Sequence, residues 1–138
     1  MRSYAIIGTG AVGGYYGARL HQSGCEVHFL AHRDAAHIRD HGLRVEMPDR
    51  QLIIGRPRVY GRPGDMPPCD VAVVALKSTR NHLLAVLLPP ALKPDGFVLL
   101  LQNGLGIEDD VAKLVGQDRV MGGLCFISAN KVGPGLIR

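Results

Sequence analysis

The sequence predicts a doubly wound α/β domain with a mainly parallel sheet, and two observations carry that prediction. Short apolar runs that stop at turn residues alternate with segments of helical period, and the first such run breaks at a glycine cluster that opens a helix. Tyr4–Gly8 is the first strand. Val12–Ser23 follows as a helix, with Tyr16 and Leu20 at helical spacing and Gly24 just past its end. Glu26–Ala31 is a second strand, and Asp34–His41 a short helix that Asp34 caps and Gly42 ends. Leu43–Met47 and Gln51–Ile54, separated by Pro48-Asp49-Arg50, form a β-hairpin insertion. Gly61–Pro68, with three prolines and two glycines, is a loop.

Asp70–Leu76 is β-branched and almost wholly apolar, as suits the middle of a sheet covered on both faces. A helix over Arg80–Leu88 meets the breaker Pro89-Pro90, and a strand follows at Phe97–Leu101. Ile107–Val115 is a helix and Val120–Phe126 a strand. The alternation places helices on both faces of the sheet. Phe126–Arg138 reads as a strand, the turn Val132-Gly133-Pro134-Gly135 and a returning strand, Leu136-Ile137-Arg138; either this hairpin closes the fold or the chain has been cut.

Composition narrows the function classes. The chain has 138 residues, 46% of them hydrophobic, and 16 Lys plus Arg against 12 Asp plus Glu. That suits one globular domain with its own core. The positive surplus of four lies within residues 1–62, where the arginines between Arg33 and Arg62 are spaced among Asp34, Asp40, Glu46 and Asp49. With aromatics at 5%, this points away from nucleic acid and toward a small anionic ligand. Glycines 8, 10, 13, 14 and 17 interrupt any secretory leader, and no run approaches the ~18 apolar residues of a membrane span, so no membrane partner and a cytoplasmic location are expected. Cys25, Cys69 and Cys125 sit far apart, so neither the paired spacing of a zinc site nor an even-numbered disulfide framework is available. The six histidines show no metal-binding spacing, and Ser78 has no GxSxG setting, so neither a metal site nor hydrolase chemistry is expected.

The strongest motif is Gly8-Thr9-Gly10-Ala11-Val12-Gly13. It follows a strand, opens a helix and lies within a βαβ unit, the context that makes GxGxxG a dinucleotide-binding fingerprint. Gly8 permits the tight turn, Gly10 lets the backbone approach a pyrophosphate, and Gly13 lets helix and strand pack closely. The helix N-terminus offers N–H groups and positive partial charge to the phosphates. A ligand-free glycine turn is the bland alternative. Cofactor preference is written about 20 residues further on, where the second strand ends. The chain reads Ala31-His32-Arg33 there, and a guanidinium pairs with the 2′-phosphate of NADPH or NADP. The competing reading makes Arg33 a solvated helix-start residue and Asp34 the ribose ligand.

Two further features end strands. Lys77, in Ala75-Leu76-Lys77-Ser78, projects toward a cofactor or is a surface lysine at a helix start. Asn103, in Gln102-Asn103-Gly104-Leu105-Gly106, both donates and accepts, which suits a carboxamide, ribose or substrate hydroxyl, or is simply a turn asparagine.

Residues Gly8 to Leu20, then Ala75-Leu76-Lys77, then Gln102-Asn103-Gly104-Leu105-Gly106, resemble the N-terminal half of the ketopantoate reductase (2-dehydropantoate 2-reductase) family. The resemblance extends through Gly122-Gly123-Leu124-Cys125-Phe126 to the last hairpin. It implies a Rossmann-type domain that takes part in NADPH-dependent reduction of 2-dehydropantoate to pantoate, on the route to pantothenate and coenzyme A. By the same resemblance the glycine loop holds the pyrophosphate and an arginine after the second strand holds the 2′-phosphate. That family arginine often stands at the position of His32, with Arg33 one place later here. The resemblance further implies that Lys77 and Asn103 line the cofactor, that Asn103 also lies near the substrate, and that Ser128 comes against the cofactor.

The family's general-acid lysine, its substrate-orienting residues and its route to a homodimer lie in a helical C-terminal domain beyond these residues. No catalytic residue is therefore assigned, and residues 1–138 are expected to be a cofactor domain truncated before that helical domain and inactive alone. Two other classes stay open: the cofactor half of a related 2-oxo or 2-hydroxy acid dehydrogenase, and a non-enzymatic dinucleotide-binding module.

Overall fold

A computed structural model describes residues 2–76, 82–101, 107–122 and 131–138. The main sheet has six strands in the order β5-β2-β1-β6-β7-β8, every pair parallel. These are β1 (Ser3–Ile7), β2 (Glu26–Leu30), β5 (Arg58–Tyr60), β6 (Cys69–Val74), β7 (Leu92–Leu100) and β8 (Val120–Gly122). The chain runs outward from β1 through β2 to β5, then returns to lay β6 against the other side of β1. That reversal opens a crevice beyond the carboxyl ends of β1 and β6.

Alternation along the central strands divides the core in two. Ile6, Val27, Phe29, Val71 and Val73 point to one face, where they meet α1 (Ala11–Gln22), α2 (Ala35–His41) and a second sheet. Ala5, Ile7, Ala72, Val74, Val98 and Leu100 point to the other, where Leu84, Leu88 and Ala91 of α3 (Leu84–Ala91) and Val111 of α4 (Ile107–Val115) cover them. Every one of these side chains is nearly solvent-free, as a parallel sheet covered on both sides requires.

The second sheet has the order β4-β3-β10-β9. The expected hairpin forms from β3 (Leu43–Glu46) and β4 (Gln51–Ile54), antiparallel with Leu43 opposite Ile54. The C-terminal hairpin, β9 (Lys131–Gly133) and β10 (Leu136–Ile137), joins it by pairing β10 parallel to β3, and the Arg44 N–H donates to the Gly135 carbonyl at 2.8 Å. Ile137 is thereby buried against α1. A Cβ at Gly14 would overlap Ile137, while one at Gly17 would overlap Phe29 of the main sheet. Glycines three apart, neighbours on the helix surface, thus let both sheets close on α1.

Three sequence expectations need correction. Pro89 and Pro90 do not break α3 but lie in its last turns. Pro89 removes the N–H that would bond the Ala85 carbonyl and Pro90 that for Val86; both those residues are exposed, so the loss falls on the solvent side while Leu84, Leu88 and Ala91 hold the helix down. The strand expected at Phe97 begins at Leu92, carrying Pro94-Asp95-Gly96 through a register shift opposite Cys69 and Val71. Asp34 occupies the N-cap position of α2 but makes no side-chain cap hydrogen bond; its carboxylate is ion-paired with Lys131 of β9 instead. Strand β5 had no counterpart in the sequence reading.

Candidate functional site: the turns at the carboxyl ends of β1 and β2

Strand β1 ends at Ile7 and the backbone turns at Gly8, whose φ of +101° belongs to the region only glycine enters freely. Space as well as angle requires glycine here, since a Cβ would stand 3.0 Å from Leu76 Cδ2 and 3.1 Å from the Ala75 carbonyl carbon. Gly13, one turn into α1, packs so closely that a Cβ would overlap the Gly8 carbonyl oxygen and sit 3.1 Å from Ile6 Cγ2. Gly10 is the contrast. A Cβ there would meet nothing within 4 Å, so its lack of a side chain relieves no contact inside the protein. What it leaves is open backbone at the start of a helix.

Gly10 is the N-cap of α1 and no side chain caps that end; the first helical bond runs from the Gly14 N–H to the Gly10 carbonyl at 2.9 Å. The amides of Ala11, Val12 and Gly13 precede that bond, so helix geometry gives them no intrahelical acceptor, and the helix dipole adds positive partial charge. No acidic residue stands in the first turn to neutralise it. Open backbone at Gly10 and an uncapped positive helix end fit a bound pyrophosphate.

Thr9 has a role the sequence reading did not separate. Its Oγ1 donates to the Leu30 carbonyl at 3.0 Å, tying the glycine turn to the end of β2. The Ala31 N–H donates to the Tyr60 carbonyl at 2.9 Å, so β5 fixes the same strand end from its other side. His32 and Arg33 follow, both exposed, and Arg33 makes no hydrogen bond or ion pair with the described residues. Asp34 comes next, committed to Lys131, with its side chain 15% exposed. The structure therefore brings Gly8, Thr9, Gly10, Ala11, Val12 and Gly13 into one turn and sets Arg33 on the neighbouring one. Lys131 is a residue the sequence reading missed, because nothing in its own surroundings signals a partner 97 positions earlier.

Lys77, Asn103 and Ser128 lie outside the described residues. On the near side of Lys77, the Ala75 N–H still bonds the Ile7 carbonyl at 2.9 Å, and on the near side of Asn103 the Leu101 N–H bonds the Val74 carbonyl at 2.9 Å. Among the described residues no group of three or more His, Cys, Asp or Glu is placed to hold a metal ion, and no helix is long and apolar enough to cross a membrane.

A six-stranded parallel sheet in this order, with a GxGxxG turn at its reversal point, defines a Rossmann-type α/β domain. The chain belongs to the ketopantoate reductase PanE/ApbA family, which it matches over residues 4–138. It is 52% identical over 136 residues to 2-dehydropantoate 2-reductase from Nostoc sp. strain PCC 7120, covering 99% of this chain and 43% of that protein. The crystal structure of 2-dehydropantoate 2-reductase from Geobacter metallireducens superposes with a TM-score of 0.94 at 38% identity, over 98% of this chain and 45% of that one. The ternary structure of D-mandelate dehydrogenase with NADH and anilino(oxo)acetate superposes with a TM-score of 0.88 at 28% identity, over 98% of this chain and 44% of that one. The chain thus spans a little under half the length of the relatives it matches.

Proposed function

We propose that these residues form the NADPH-binding part of a 2-dehydropantoate 2-reductase. The observation that carries the proposal is the turn at residues 8–13, where glycine is demanded by contact at Gly8 and Gly13 and by nothing internal at Gly10. Backbone amides at the start of α1 would hold the pyrophosphate, and Arg33, exposed and unengaged among the described residues, would take the 2′-phosphate. Lys77, Asn103 and Ser128 would line the nicotinamide half, with Asn103 also reaching the substrate. The strong identity to reductases named for 2-dehydropantoate supports that 2-oxo acid as the substrate.

NADPH, when bound, supplies the hydride that reduces the 2-oxo group to a 2-hydroxy group. The residues of this chain bind and orient it. The proton for the carbonyl oxygen would come from a lysine of a helical C-terminal domain, as the family resemblance implies, so residues 1–138 alone would bind cofactor without turnover. The same domain would carry a homodimer contact, and the reductase would work in the cytoplasm without nucleic acid or membrane partners.

A second reading is favoured by one observation: a D-mandelate dehydrogenase solved with NADH shares the fold at a TM-score of 0.88. On that reading the substrate is another 2-oxo or 2-hydroxy acid and NADH serves as well as NADPH. Calorimetric titration of this chain with each cofactor separates the two. Tighter binding of NADPH, lost in Arg33→Ala, supports the first; equal binding of both supports the second. Binding of neither, or turnover of 2-dehydropantoate by this chain alone, would contradict the proposal.

A further inference from the structure

We infer that Lys131 sets the choice between phosphorylated and unphosphorylated dinucleotide by occupying the carboxylate of Asp34. The inference deepens the reading just given and rests on it. Asp34 stands immediately after Arg33, on the turn where the adenosine ribose of a bound dinucleotide is recognised. A free carboxylate there would accept a hydrogen bond from a ribose 2′-hydroxyl and repel a 2′-phosphate. The structure does not leave it free: the Lys131 ammonium, brought from β9 of the second sheet, forms an ion pair with Asp34, and α2 gains no side-chain cap from that carboxylate.

The location of the pair gives it leverage on the ligand. Thr9, in the turn after β1, donates to the Leu30 carbonyl, so the pyrophosphate-facing turn is tied to the end of β2 from which the Ala31–Asp34 segment leaves. The Lys131 side chain is 42% exposed, while the Asp34 side chain is largely covered. Arg33, Asp34 and Lys131 together carry a charge of +1. Without Lys131 the three positions fall to zero; without Asp34 they rise to +2. A 2′-phosphate, close to a dianion at neutral pH, feels that difference, and a ribose hydroxyl feels it little. Lys131 is thus a positioning residue for specificity, acting through Asp34 and through its own field.

The test measures dissociation constants for NADPH and NADH in wild type, Lys131→Gln, Lys131→Arg, Asp34→Asn and the Lys131→Gln/Asp34→Asn double variant. Wild type is expected to prefer NADPH. Lys131→Gln should weaken NADPH about tenfold while NADH stays level or improves, and high salt should shrink the difference. Lys131→Arg should keep the wild-type ratio. Asp34→Asn should hold or raise NADPH preference, and in its background the Lys131→Gln effect should be smaller.

Equal weakening of both cofactors by Lys131→Gln, or an unchanged ratio, would overturn the inference and leave the cofactor reading standing. A wild type without NADPH preference would overturn the cofactor reading itself, and the inference with it. Should Lys131→Gln fail to fold, Asp34→Asn decides: an NADPH preference lost there contradicts the account.

Discussion

The two ends of the main sheet are finished in opposite ways. At the amino end, polar groups pair with one another. Asp70 accepts from the Ser3 N–H at 2.8 Å and from Lys93 Nζ at 3.1 Å; buried His28 lies between Glu26 and the Tyr60 hydroxyl, 2.9 Å from each. Arg119 donates from three nitrogens to the carbonyls of Gly96, Val115 and Lys93, clamping the irregular start of β7 to the end of α4. At the carboxyl end the helix α1 begins without a side-chain cap, Gly10 faces open space, and Arg33 has no partner among the described residues. The carboxyl end has its own ties, from Thr9 to Leu30 and from Asp34 to Lys131, yet beside them the start of α1 and Arg33 are left open. The amino end is thus built for stability, and the carboxyl end is the one that the proposed function assigns to recognition.

That division can be broken by substitutions that should each move only one property. The largest effect is expected at Gly10. A Cβ there meets nothing in the protein, so Gly10→Ala should shift the melting temperature by no more than about 4 °C, while a methyl at the pyrophosphate approach should weaken NADPH about 100-fold, or ~2.7 kcal/mol. Calorimetry and thermal unfolding of the same sample check both halves. Arg119→Ala should do the reverse. Losing three partly buried hydrogen bonds should cost ~2 kcal/mol and lower the melting temperature by about 6–10 °C, with NADPH affinity unchanged.

Arg33→Ala comes next, at about tenfold in NADPH affinity with NADH unaffected and no change in thermal stability. A smaller, pH-dependent effect is expected at Asp70. The Ser3 backbone hydrogen bond, followed by that from Lys93, holds its carboxyl below the ordinary carboxylate value. Folded Asp70 thus binds a proton more weakly than unfolded Asp70. Its contribution is present above the unfolded value near 4 and is lost as pH falls through the folded one. Asp70→Asn should accordingly flatten the acid limb of the stability curve below about pH 4, measured by urea unfolding across pH, and leave cofactor binding untouched. The smallest effect concerns Cys69, buried at the start of β6, where burial pushes its thiol up. It should resist iodoacetamide in the folded chain and react once the chain is unfolded.

What the sequence revealed and what it concealed divide along a different line, local against distant. The first βαβ unit, the β3–β4 hairpin and the helix Ile107–Val115 were legible because each is specified within its own window: a glycine stop, a period, a turn. Arg58–Tyr60 was not, being three residues after a proline with only Val59 deeply buried, a strand by virtue of pairing with β2. The last hairpin was foreseen, but its parallel pairing with β3 depends on residues some 90 positions apart. The same limit applies at the site. The glycine turn and Arg33 follow from spacing, whereas the Thr9 bond to Leu30 and the capture of Asp34 by Lys131 arise only once the strands are assembled. Asp34 shows the cost of a local rule: its position is that of a cap, and a distant ammonium outcompetes the helix end.

The contrast between the two ends is tested most directly by following backbone amide resonances of this chain while NADPH is added. The account predicts that shifts concentrate at residues 8–13 and 31–34, with Ser3, Glu26, Asp70, Lys93 and Arg119 still. Shifts centred on the amino-end residues, or no saturable shift at the glycine turn, would contradict it.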